Sequence, residues 1–184
     1  MAFDENDLRR RMNGAINSLK DEFIGLRTGR ASTALLDTLK VDAYGSKMPI
    51  NQVASLSTPE ARLILIQVWD QSMVTSIEKS IRESDLGLNP QTEGSTIRIP
   101  IPELSEERRI ELVKVAGKYS EQAKVSIRNV RRDIIENIRK LEKDSSISED
   151  EKRDSENKIQ NITDEFVKEI DNMLAQKEQD IKGV

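Results

Sequence analysis

Apolar side chains recur at Leu8, Met12, Ala15, Leu19, Phe23 and Leu26, spacings of four, three, four, four and three in an otherwise polar stretch. That period places them on one face of an amphipathic helix from residue 4 to about 28, with Gly29 standing where a terminating glycine belongs. A second pattern starts after Ser105, a natural N-cap followed by Glu106 and Glu107, whose charges suit the positive end of a helix. Val113, Ala116, Ser120, Ala123, Ile127, Val130, Ile134, Ile138 and Leu141 then keep to one face. A third helix opens on Ser148 and Glu151 in capping-box spacing, and its stripe is Ile159, Ile162, Phe166, Ile170, Met173 and Ile181. Three such stripes bury best against one another, as an elongated bundle with coiled-coil-like spacing.

Between the first and second helices the period changes. Residues 41–44, 53–56, 63–69 and 96–101 are β-branched or apolar runs punctuated by Gly45, Pro49, Pro59 and Gly94. Met73 or Val74, Ile77 and Ile81 mark a short helix that closes near Gly87. The expected fold is therefore α+β: a three-helix bundle of residues 1–29 and 104–184, with a small α/β domain, 30–103, inserted into it. Two segments join them, GRAS at 29–32 and the stretch 100–105, where Pro100 and Pro102 hold the preceding residues extended. A joint of two strands is expected to hinge, at Gly29, Arg30, Ala31 and Ser32 on one side and at Pro100, Pro102 and Ser105 on the other.

The chain has no cysteine and no histidine. That removes disulfides, thiolate and imidazole catalysis and the usual zinc or haem ligands. Acidic clusters such as Glu149, Asp150 and Glu151 sit in a first helical turn, where capping and dipole effects explain them. There is no phosphate-binding glycine loop, nucleophile elbow or calcium loop. No enzyme, metal or cofactor is expected. The start of the chain has no apolar run, and Leu63–Ile66 is too short to cross a bilayer, so a soluble, cytoplasmic protein with no membrane partner is expected.

Net charge is −4, but unevenly spread: residues 104–147 carry 11 basic and 8 acidic side chains, whereas 148–184 carry 6 and 11. The positive segment contains RNVRRD (128–133). On a helix of about 100° per residue, Lys124, Arg128, Arg132 and Arg139 share one outward face, and Arg131 lies nearer the apolar stripe, where it can pin the helix interface. Arg132 can pair with Glu136, yet Lys124–Arg128 and Arg128–Arg132 are like-charge neighbours one turn apart, each costing about 0.2–0.5 kcal/mol. A polyanion offsets that cost, because guanidinium forks match phosphate oxygens. RTGR at 27–30 supplies Arg27 and Arg30 as a second basic element. The six aromatics are scattered, so phosphate and shape contacts, not base stacking, should dominate any RNA binding.

GLRTGRASTALLD (25–37), DLGLNP (85–90), IRIPIPELSEERR (97–109), RNVRRD and ISEDE (147–151), in that order and over the whole chain, resemble the bacterial ribosome recycling factor family. The resemblance implies an L-shaped, transfer-RNA-like outline and a small domain that is a β/α/β sandwich. It implies a factor that works with elongation factor G and GTP to split post-termination ribosomes, its long arm lying on large-subunit ribosomal RNA and its short arm facing the GTPase. Carried over by motif, Arg128, Arg131 and Arg132 are RNA-phosphate contacts on the second helix, with Arg27 and Arg30 contributing from the first. A monomer is expected. The rival reading is a helical scaffold or chaperone with no RNA role, which leaves RTGR and RNVRRD unexplained.

Overall fold

In the computed structural model, which describes residues 2–183, helix α1 (Glu5–Gly25) starts because Asp4 caps it. The Asp4 Oδ1 accepts from the backbone N–H groups of Asn6 and Asp7 at 2.9 and 3.2 Å. The helix stops earlier than its stripe predicts. Leu26 is already extended, and its N–H turns back to the carbonyl of Phe23, so Gly29 is not the terminator. Leu8, Met12, Ile16, Leu19 and Phe23 are the buried residues, with Ile16 taking the place expected for Ala15 because it has more apolar surface to bury.

Helix α3 (Glu106–Lys143; α2 lies in the inserted unit) begins at Ser105, whose Oγ accepts from the Arg108 N–H at 3.2 Å. It ends with Ser145 at φ 59° and the Ser146 N–H donating to the Leu141 carbonyl at 2.8 Å, a Schellman closure made without glycine. Along it Leu112 is buried in preference to Val113, Ile135 is buried as well, and Leu141 is 37% exposed. Helix α4 (Glu149–Lys182) opens on the expected reciprocal box: Ser148 Oγ accepts from the Glu151 N–H at 3.1 Å, and Glu151 Oε2 accepts from the Ser148 N–H at 3.0 Å. Ser148→Ala should lower stability by about 1 kcal/mol, read as an earlier midpoint in urea with an unchanged slope.

The stripes of α1, α3 and α4 meet in one core, with Leu8, Ile127, Ile138, Ile159 and Ile170 fully shielded from water. Ion pairs along the rims set register. Arg9 bridges Glu5 and Glu165, and Lys158 Nζ lies 2.7 Å from Glu5 Oε2. Exposed pairs of this kind contribute little stability individually.

The inserted unit is built on strict alternation. Strands β1 (Lys40–Ala43) and β2 (Ser46–Pro49) form an antiparallel hairpin. Strands β3 (Ala54–Glu60), β4 (Leu63–Val68), β5 (Gln91–Glu93) and β6 (Thr96–Pro100) form a four-stranded antiparallel sheet of order β3-β4-β6-β5. Ile64 and Ile66 on β4 and Ile97 and Ile99 on β6 point to one side and are fully buried. They join Ile77 and Ile81 of α2 (Val74–Arg82), with Leu36 and Val41, in a separate core. Strands β2 and β5 carry no buried residue, so no hydrophobic period betrays them. Pro59 lies within β3, not at its boundary. That strand is at the sheet's edge and its register shifts between Ser57 and Glu60, which is where a strand tolerates proline.

The chain divides into two compact units, one comprising the chain up to Leu26 with Arg109–Lys182, the other Arg27–Arg108. Within the second, both connecting segments are latched to the β3–β4 turn. The Ala31 N–H donates to the Ala61 carbonyl at 2.7 Å, the Ile101 N–H donates to the Arg62 carbonyl at 2.8 Å, and Arg62 pairs with Glu103. Ser32 caps the 3₁₀ turn Thr33–Leu36 through its Oγ. Among the described residues no helix is long and apolar enough to cross a membrane.

Candidate functional site

RNVRRD lies in the middle of α3, and the bundle uses its side chains in two directions. Asp133 Oδ2 accepts from Arg11 Nη2 on α1 at 2.8 Å. Arg131 Nε donates to Gln160 Oε1 on α4 at 2.8 Å, and the Gln160 amide in turn donates to Asp164. Arg131 is half-buried, in keeping with its place near the stripe. These two ties reach opposite neighbours and fix the rotation of α3 about its own axis.

What that rotation presents to solvent is Arg128 and Arg132. Both are exposed. Arg128 has no hydrogen-bond or ion-pair partner among the described residues. Arg132 donates through Nη2 to Asn129 Oδ1 at 3.1 Å, a neutral partner one turn back, and not to Glu136. Val125, 48% exposed, stands one turn before Arg128 on the same face.

The other two members of the expected face are differently employed. Lys124 is not an outward cation: its side chain is only 15% exposed and its Nζ lies 2.6 Å from Asp171 Oδ1 on α4 and 3.6 Å from Glu121. Arg139 Nε donates to Glu156 Oε1, also on α4, at 3.0 Å. A helical wheel contains one helix and omits the carboxylates of its neighbour: Asp171 draws Lys124 inward, whereas Arg139 stays exposed, as the wheel places it, while pairing with Glu156. The last helix thereby engages two of its carboxylates. It neutralises the ends of the basic row and leaves the middle bare.

The hydrogen bond from Lys124 to Asp171, helped by the charge of Asp171 and Glu121, holds the ammonium's pKa above its ordinary 10.5, against the opposing effect of partial burial. A raised lysine pKa contributes stability that is fully present below the ordinary value and is lost as pH climbs through the raised one. Urea midpoints of the wild type should therefore fall above pH 10.5, and the part of that fall due to this pair should be missing in Lys124→Met.

Arg27 and Arg30 follow α1 instead of lying on it, and they belong to the inserted unit. Arg27 Nη1 donates to the Leu86 carbonyl at 2.9 Å, tying the RTGR segment to the DLGLNP loop after α2. Both side chains are exposed. The five candidate arginines are thus grouped three and two between the units. The expected joint residues are anchored too: Gly29 adopts φ +73° with Leu104 closely over it, Ala31 is buried, and Pro100 closes β6 opposite Leu63, while Pro102 and Ser105 are exposed. The ties that sequence reasoning missed, Arg11–Asp133 and Lys124–Asp171, run between helices, and only the segmental charge imbalance hinted at the second.

Long bundle helices with a small antiparallel-sheet unit inserted between them in sequence make an α+β protein, with exposed arginines on one face of α3. The family model described as ribosome recycling factor matches residues 19–181. Ribosome-recycling factors of Methylobacterium radiotolerans and Rhodospirillum centenum are each 58% identical, over 182 and 181 residues, covering 99% and 98% of this chain and 97% and 98% of theirs. A solution structure of ribosome recycling factor matches with a TM-score of 0.75 at 47% identity, covering 97% of this chain and 95% of that one. A T. thermophilus ribosome recycling factor, placed with E. coli elongation factor G on the E. coli post-termination complex, matches with a TM-score of 0.66 at 45% identity, covering 96% and 95%. The chain belongs to the ribosome recycling factor family, whose members are non-enzymatic factors of protein synthesis.

Proposed function

We propose that this chain, with elongation factor G and GTP, splits the post-termination ribosome into subunits, and that it does so as a monomer in the cytosol. The bundle docks on large-subunit ribosomal RNA by the outward face of α3, with Arg128 and Arg132 on phosphates and Arg131 holding the helix at the right rotation. Arg27 and Arg30 add phosphate contacts from the second unit; Arg27 gives one N–H to Leu86 and keeps the rest of its fork for an anion. The GTPase then pushes on the inserted unit, and the segments 29–32 and 100–105 transmit the load. The arm that is pushed and the arm that holds are the two units of the chain.

One observation carries this reading: an arginine without a partner among the described residues, Arg128, fixed in direction by ties from its own motif to both neighbouring helices. Stability alone gives no reason to hold a bare cation there, one turn from another arginine. A related recycling factor placed with elongation factor G on the post-termination complex supports the choice of partner. The test is light scattering of model post-termination ribosomes mixed with elongation factor G and GTP. Addition of the chain should convert them to subunits; no conversion at any concentration overturns the proposal.

A further inference from the structure

Six aromatic residues lie far apart in the sequence, yet the fold brings the two exposed ones to a single edge of the inserted unit. Tyr44, in the β1–β2 turn, is 67% exposed, and Trp69, just after β4, is 62% exposed. The Tyr44 hydroxyl donates to Asp70 Oδ2 at 2.8 Å, beside Trp69 in the chain, and Trp69 Nε1 donates to Ser55 Oγ at 3.0 Å. Each ring has its polar handle satisfied from within, and each leaves its faces to solvent. Asp70 is fixed in turn, its Oδ1 accepting from the Ser72 hydroxyl at 2.7 Å and the Ser72 N–H at 3.0 Å. Those bonds, with the one from Tyr44, hold its carboxyl below the ordinary range, so it is ionised at neutral pH.

Local preference does not explain the pair. Tyr44 has φ +51° beside Gly45 at +78°, the two left-handed positions of a tight hairpin where asparagine or glycine is favoured and a tyrosine is strained. Burying neither ring leaves a large apolar surface in water without return. An arrangement that accepts both costs and pre-orients both rings has the marks of an interface anchor, for which tryptophan and tyrosine are the commonest residues.

We infer that Tyr44 and Trp69 together form the anchor by which a protein partner grips the inserted unit, the partner's matching element being an arginine or lysine flanked by apolar side chains. A cation can stack on the indole while facing Asp70. RNA is the poorer fit, since a base stacked on these rings brings its phosphate against that carboxylate, in a segment, 31–103, with 9 acidic and 6 basic side chains. The identity of the partner rests on the function proposed above, in which elongation factor G meets this unit.

Two readouts separate the contact from the function. In the splitting assay, Trp69→Ala and Tyr44→Ala should raise the half-saturating concentration of elongation factor G about tenfold, with the rate at saturation and large-subunit binding without the GTPase both unchanged. Trp69→Phe, which keeps a ring, should stay close to wild type. In parallel, a photo-crosslinking benzoylphenylalanine in place of Trp69, irradiated on ribosomes with elongation factor G and a non-hydrolysable GTP analogue, should couple to elongation factor G. Unchanged half-saturation in both alanine variants, weakened large-subunit binding without the GTPase, or a crosslink to RNA or to another protein overturns the inference. A wild type that never splits ribosomes overturns the proposed function, and the crosslink then still decides whether the aromatic pair is a contact.

Discussion

Replacing Arg128 and Arg132 together with alanine is expected to weaken large-subunit binding by about a hundredfold or more at low salt and to flatten its salt dependence by nearly two units of log affinity per log salt. Each guanidinium–phosphate contact is a charge-assisted hydrogen bond, for which about 1.5–3 kcal/mol is typical. Each also displaces close to one condensed counterion, so loss of two contacts removes two contributions to the slope. Arg128→Ala should show the larger single effect, because Arg128 has no partner among the described residues to give up on binding, whereas Arg132 must share or release Asn129. Filter binding or sedimentation from 50 to 300 mM salt, over which the Debye length shrinks from about 14 to about 6 Å, measures both quantities. Equal affinity and equal slope in the double variant would falsify the docking role of this face.

Arg131→Ala separates a contact from a support. Its guanidinium is engaged with Gln160 across the α3–α4 seam, so its loss should cost about 0.5–1.5 kcal/mol of stability. The salt slope should barely move. Carried over by motif alone, the three arginines look equivalent; in the bundle, Arg131 is the one of the three with a hydrogen bond to another helix among the described residues.

The parts of this protein that were legible in sequence are those where one element's own burial decides the outcome. Ile159, Ile162, Phe166 and Ile170 face the core because the 3.6-residue period of α4 leaves no other choice. Ile64, Ile66, Ile97 and Ile99 do so by the period of two. Where a neighbour decides, the reading fails in a consistent way. Lys124 turns inward because Asp171 waits on α4, and β2 and β5 exist because a partner strand supplies their hydrogen bonds, not because any of their side chains is buried. The aromatic pair is the same lesson in reverse: Tyr44 and Trp69 are distant in sequence and meet only through Asp70.

Gly29 is where two such tertiary constraints meet, and Gly29→Ala is the second change expected to have a large effect. At φ +73° any residue with a Cβ is strained by about 1–2 kcal/mol. Here the added carbon would also sit 2.9 Å from Leu104 Cγ and 3.3 Å from its Cδ1, a steric cost that backbone preference does not include. The contact joins the two connecting segments directly, since Gly29 lies in one and Leu104 in the other. Relief is therefore testable: Leu104→Ala added to Gly29→Ala should destabilise less than the sum of the single changes, whereas independent sites would add. The single tryptophan, Trp69, lies in the inserted unit and reports its unfolding by fluorescence, while far-UV circular dichroism follows chiefly the long helices. The fluorescence midpoint in urea should fall for Gly29→Ala and partly recover in the double variant. The change sits among the segments proposed to carry the push, in the other unit from Arg128 and Arg132, so large-subunit binding should survive while the splitting rate drops. Full splitting activity in a Gly29→Ala protein of reduced stability would remove these segments from the mechanism and leave the arginine face untouched.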